Sequence, residues 1–98
     1  MTQEALIAAL KGCRSALEAE GATSLFLYGS RARGDHRADS DIDILVDYDA
    51  AKKFSLFDLA GVKLVIEGEL GLETHVTTRD ALYPSLKTQI EQQAIRIF

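Results

Sequence analysis

A chain of 98 residues, 47% hydrophobic and 27% charged, has the size and composition of one globular domain, residues 1–98, with room for a single core. Eleven basic residues against fifteen acidic ones leave a net charge of -4, which argues against broad nucleic-acid binding. No apolar run reaches the roughly 18 residues of a membrane span. MTQEALIAAL lacks the basic start of a secretory signal, and the one cysteine fits a reducing cytoplasm.

The first predicted element is a helix over residues 3–19. Leu6, Leu10, Cys13 and Leu17 repeat on one stripe, with Thr2 as N-cap and Gly21 as the residue after the helix. Cys13 on that stripe reads as core, since nothing near it would lower a thiol pKa. Ser24–Tyr28 is a short apolar and aromatic run ending at Gly29, a buried strand. Ile42–Val46 is a second strand, with Ile42, Ile44 and Val46 on one face and Asp41, Asp43 and Leu45 on the other. The connection 30–40 is long enough for one helical turn. Ser55 and Asp58 form a capping box opening a helix to about Glu67, and Gly68 and Gly71 break the chain before a third strand, 72–76. Thr77 or Thr78 caps the next segment, and Pro84 suits the first turn of a last helix through about Ala94. This order is an α/β (α+β) arrangement: a small mixed sheet covered by helices.

The chemistry concentrates in GSRARGDHRADSDIDILVDYD, residues 29–49. Residues two apart on a strand point the same way, roughly 6.5 Å apart, so Asp41 and Asp43 present paired carboxylates. Such a pair is relieved by a cation, and oxygen-only ligation suits Mg²⁺ or Mn²⁺. The bland reading is the polar face of a half-exposed strand. Gly29 gives the backbone room to approach a phosphate, and Ser30 offers a hydroxyl and an amide at the start of a helical turn. Arg31 and Arg33 add cationic donors, forming one small patch with His36 and Arg37. His36 reads as solvated, Asp47 and Asp49 as surface residues, and Asp80 as a first-turn charge.

Gly29-Ser30-Arg31-Ala32-Arg33-Gly34, followed by Ser40-Asp41-Ile42-Asp43-Ile44, resembles the G-S-x-A-R-G…S-D-[IL]-D-[LI] signature of the minimal nucleotidyltransferases. These belong to the polymerase-β-like nucleotidyltransferase superfamily, and the resemblance covers most of the chain. It implies that fold, and transfer of a nucleoside monophosphate from a triphosphate, with ATP expected, to a hydroxyl acceptor using Mg²⁺. It also implies that Gly29 and Ser30, with Arg33 and Ser40, hold the nucleotide, while Asp41 and Asp43 bind metal. Small members of the family are antitoxins beside a helical toxin ribonuclease, and some add AMP to a toxin tyrosine.

This chain departs from the pattern at the third carboxylate of the family. His75 stands in that position, and Glu73 two residues earlier faces the same way. Either Glu73, as a metal ligand, or His75 itself then takes the place of the third carboxylate. His75 is either a general base or a partly buried hydrogen-bonding residue. Two classes of function remain: a nucleotidyltransferase, or a catalytically weakened module that neutralises a partner by binding it.

Overall fold

The computed structural model describes residues 1–98. The first helical segment is two helices, α1 (Gln3–Gly12) and α2 (Arg14–Ala19), where the sequence predicts one. At the break the Cys13 amide donates to Leu10 O at 3.0 Å, three residues back, after a Gly12 that has no side chain to pack. The apolar stripe survives the break, because Leu6, Leu10, Cys13 and Leu17 all remain buried. Thr2 caps α1 as expected, its Oγ1 accepting from the Ala5 amide at 3.1 Å.

Strand β1 (Ala22–Tyr28) leads through the single turn α3 (Ser30–Arg33) to β2 (Ile42–Tyr48), which runs antiparallel to it. Helix α4 (Leu56–Leu70) opens on the expected capping box: the Ser55 amide donates to Asp58 Oδ2 at 2.7 Å, and the Phe57 amide to Ser55 Oγ at 3.2 Å. α4 runs through Gly68, which was expected to break the chain, and ends at Gly71 in the left-handed conformation (φ 66°). Strand β3 (Thr74–Thr77) then pairs parallel to β2. A 3-10 turn (Arg79–Ala81) and helix α5 (Pro84–Gln93) come next, with Pro84 in the first turn of α5. A fourth strand, β4 (Ile95–Arg96), was not anticipated; it pairs antiparallel with Phe26 and Leu27 of β1. The mixed sheet has the order β3-β2-β1-β4.

The two faces of this sheet differ in character. One carries Leu25, Leu27, Ile42, Ile44 and Val46, which pack with Leu6, Leu10, Leu17, Val62 and Ile66 of α1, α2 and α4 into one core. Burying such side chains contributes roughly 1.5–3 kcal/mol each before entropy is counted. The other face carries Tyr28, Asp43, Asp47 and His75, brought together by the registers Tyr28↔Asp43↔His75 and Ser24↔Asp47. Leu45 is its fully buried member, flanked in register by Phe26 and Thr77. Helix α5 buries no residue of its own, and is joined to the body through the ion pair of Glu91 with Arg79. The helices therefore cover chiefly one side of the sheet, and the carboxylates lie on the other.

Candidate active site

β1 delivers the chain to Gly29, whose φ of 75° and ψ of −154° fall in a region that is essentially glycine-only. The turn closes when the Ala32 and Arg33 amides donate to Gly29 O, each at 3.1 Å. Gly34, at φ 83°, ends α3 and turns the chain back toward β2. A Cβ built on Gly29 collides with Asp43 Oδ2. Bare backbone at Gly29 is thus the wall against which the Asp43 carboxylate rests.

Asp41 lies just before β2 and takes a different neighbour. Its Oδ2 is 2.8 Å from His75 Nε2, the imidazole reaching across from β3. The donor atoms of Asp41, Glu73 and His75 all lie within 4.8 Å of one another. Bonds of about 2.1 Å place opposing ligands of one cation about 4.2 Å apart, so modest side-chain rotation brings all three groups onto a divalent ion. Asp43 adds negative charge beside them. Burial pushes the Asp43 carboxyl above its ordinary value of 3.8; the Asp41 charge pushes the same way, while His75 and Arg33 oppose it. A half-buried carboxylate with a raised pKa next to a second one is the electrostatic situation that a cation relieves.

The sequence model described as "Nucleotidyltransferase domain" matches residues 9–97, nearly the whole chain. The chain belongs to this family. It is 39% identical over 71 residues to "Putative protein adenylyltransferase MJ0435" of Methanocaldococcus jannaschii, covering 72% of this chain and 74% of that one. A solved structure described as "putative minimal nucleotidyltransferase" superposes with a TM-score of 0.82 at 36% identity, over 97% of this chain and 95% of the other. A "toxin-antitoxin with AMP-PNP" structure shares the fold, with a TM-score of 0.72 at 18% identity over 92% of this chain and 72% of that one.

In this nucleotidyltransferase the two sequence blocks lie side by side: Gly29 stands against Asp43, and Asp41 beside His75 and Glu73. Arg33 points along the turn to Asp35 at 3.2 Å, an exposed pair that a ligand can break at little cost. Ser40 holds the loop: its Oγ accepts from the Arg37 amide at 2.8 Å, and its carbonyl accepts from Arg31.

Arg31 corrects the expectation of a surface cation. It is 1% exposed, and its guanidinium donates to Ser40 O from Nε at 3.1 Å and from Nη2 at 2.8 Å, and to Ala38 O at 3.3 Å. Arg31 is therefore a clamp on the loop that carries Asp41, not a member of the cationic patch. From the other side, Gln3 of α1 donates to the carbonyls of Arg31 and Ala32 at 3.0 and 2.9 Å. Asp47 is likewise no free surface residue. It is gripped by Arg79 through two hydrogen bonds of 2.8 and 3.3 Å, beneath a guanidinium that lies 5.0 Å from the Phe26 ring. Tyr28, facing Asp43 across the β1–β2 pair, is not singled out by the sequence; the aromatic residue closing the strand before Gly29 is its only signal there.

Proposed function

We propose that this nucleotidyltransferase moves AMP from ATP, with Mg²⁺ or Mn²⁺, to a hydroxyl on a protein, the class of acceptor being a tyrosine of a helical toxin partner. The observation that carries the reading is the convergence of the Gly29–Ser30 turn, Asp43 and the Asp41–Glu73–His75 group at one end of β2. The acceptor oxygen bonds to the α-phosphorus while the bond to the bridging oxygen of pyrophosphate breaks. Pyrophosphate leaves with that electron pair, and the hydroxyl proton passes to a carboxylate or imidazole of the group. Asp41, Asp43 and Glu73 would hold the divalent cation, which when bound neutralises charge developing on the phosphates. Gly29, Ser30, Arg33 and Ser40 would orient the triphosphate.

Several features support the protein acceptor and the partner. A groove of about 280 Å³ opens beside His75, between β3 and the Leu56, Leu59, Ala60 and Lys63 side of α4. On the same helix Leu56 and Phe57 are 82% and 88% exposed, apolar surface suited to a partner. The relatives named protein adenylyltransferases and the toxin-antitoxin neighbour carry the same reading by kinship. The reading treats residues 1–98 as one minimal domain acting in the cytoplasm; no helix is long and apolar enough to cross a membrane, and the lone Cys13 is buried.

The reading is tested by incubating the protein with α-labelled ATP, a divalent cation and the product of the neighbouring gene. Label is expected on the partner; ATP binding without transfer in either Mg²⁺ or Mn²⁺ favours the binding module, which His75 in the third carboxylate position specifically supports. Ser30→Ala with Arg33→Ala is expected to weaken ATP binding by about 1–3 kcal/mol, the scale of a few charge-assisted hydrogen bonds. Calorimetric titration measures it, and an unchanged affinity means that the phosphates bind elsewhere.

A further inference from the structure

We propose that His75 is itself a cation ligand, and that with Asp41 and Glu73 it forms a one-imidazole, two-carboxylate site that takes Mn²⁺ in preference to Mg²⁺. The inference rests on the nucleotidyltransferase reading for the presence of a cation and goes beyond it in naming the ligand and the selectivity. Three observations carry it. His75 Nε2, the nitrogen at the tip of the ring, is the atom directed at Asp41 Oδ2, 2.8 Å away. Glu73 joins them with all donor atoms within 4.8 Å. Asp43, which would hold the cation from the Gly29 side, is not among the donor atoms gathered around Asp41, and those that are, from Glu73 and His75, include a nitrogen.

The chemistry follows from donor type. Mg²⁺ is small and hard, keeps near-octahedral oxygen coordination and gains little from imidazole. Mn²⁺ accepts carboxylates equally well and, as a first-row transition ion at the weak end of its series, takes an imidazole nitrogen less readily than Fe²⁺ or Zn²⁺ but more readily than Mg²⁺ does. Exchanging a carboxylate for a neutral imidazole also removes one negative charge, which costs Mg²⁺, held almost wholly by charge, more than it costs Mn²⁺. A mere surface ion pair between Asp41 and His75 is the alternative. It predicts no selectivity and no nitrogen bound to an added cation.

The test uses the full chain without nucleotide, at one pH, with Mn²⁺ and Mg²⁺ as the probes. Free Mn²⁺ is followed by its electron paramagnetic resonance signal, Mg²⁺ is added in competition, and pulsed resonance of the bound ion reports whether nitrogen is coordinated. Nitrogen coupling is expected in the wild type and in His36→Ala, the other histidine, and is expected to vanish in His75→Ala. Mn²⁺ affinity is expected to fall about tenfold or more in His75→Ala, the scale seen when a ligand set is disturbed. His75→Asp is expected to lose the nitrogen signal while gaining Mg²⁺ affinity, so that the Mn²⁺ preference shrinks. Bound Mn²⁺ without nitrogen coupling, or the same Mn²⁺/Mg²⁺ ratio in wild type and His75→Asp, overturns the proposal. The transfer assay reports separately on the enzyme: label transfer in Mg²⁺ with no nitrogen coupling overturns this inference alone, whereas nitrogen coupling with no transfer in either metal overturns the enzyme reading alone.

Discussion

Asp43→Asn is expected to cut nucleotide transfer sharply and to raise the melting temperature of the free protein. The two effects share one origin. Asp43 sits half-buried between Tyr28 and His75, its carboxylate against Gly29, close to the negative charge of Asp41. An arrangement that gathers negative charge for a cation is costly to fold without one. The direction with pH follows from the raised carboxyl pKa. Below the ordinary value of 3.8 the proton is held in both states, and Asp43 costs the fold nothing. As pH rises from there toward the folded value, the unfolded chain ionises first, and stability falls. Above the folded value the penalty is complete. Asn escapes it, so the gain in melting temperature is absent in acid and full at neutral pH. Loss of the carboxylate lowers transfer by about 10²-fold or more, as removal of a preorganised charge-stabilising group does. Asp41→Asn shares the loss of transfer but not the gain in stability, because it breaks an exposed pair with His75 worth at most about 1 kcal/mol. Thermal melts without divalent cation, run across pH beside the labelled transfer assay, separate the two variants. Full activity in Asp43→Asn would remove it from the site.

Arg31→Ala is the most destabilising change expected in the motif. The side chain is buried, it makes three hydrogen bonds to the carbonyls of Ala38 and Ser40, and no carboxylate pairs with it. Truncation leaves a cavity and frees the loop carbonyls, at a cost of about 2–4 kcal/mol. Arg31→Met fills the space without donors, and so separates packing from the clamp. It is expected to recover much of the stability yet transfer about 10²-fold more slowly, because a loop loosened by about 1 Å displaces Asp41 from its partners. Urea denaturation and the transfer assay measure the two parts. If Arg31→Met transfers at the wild-type rate, the clamp is structural only.

Much of this arrangement is legible in the residues, for a physical reason: each readable element reports its own local rule. The Ser55–Asp58 box, the alternation of Ile42 to Val46 and the stripe from Leu6 to Leu17 are each contained within one segment. The features that escape depend on partners remote in the chain. Two residues, Ile95 and Arg96, carry no periodicity of their own and become a strand only because Phe26 and Leu27 offer an edge about 70 residues away. The break at Cys13 is invisible because the stripe keeps its spacing across it. Arg31 and Arg33 look alike in the string. Where the loop carbonyls of Ala38 and Ser40 come to lie decides that one is buried and the other exposed. Period-two alternation correctly puts Asp41 and Asp43 on one side, but it cannot foresee that one turns to His75 and the other to Gly29.

The contact of Gly29 with Asp43 makes the two halves of the motif, far apart along the loop, a single steric unit. A methyl group at position 29 meets two separate obstacles: the Asp43 carboxylate and a backbone conformation that only glycine adopts freely. Shortening Asp43 removes the first obstacle and leaves the second. In a double-mutant cycle, Gly29→Ala and Asp43→Ala should therefore be partly non-additive: the collision is shared between them, while the conformational strain, about 1–3 kcal/mol, belongs to residue 29 alone. Residue 29 is thus held to glycine twice over, by its own backbone and by the carboxylate facing it, whatever ligand the site holds.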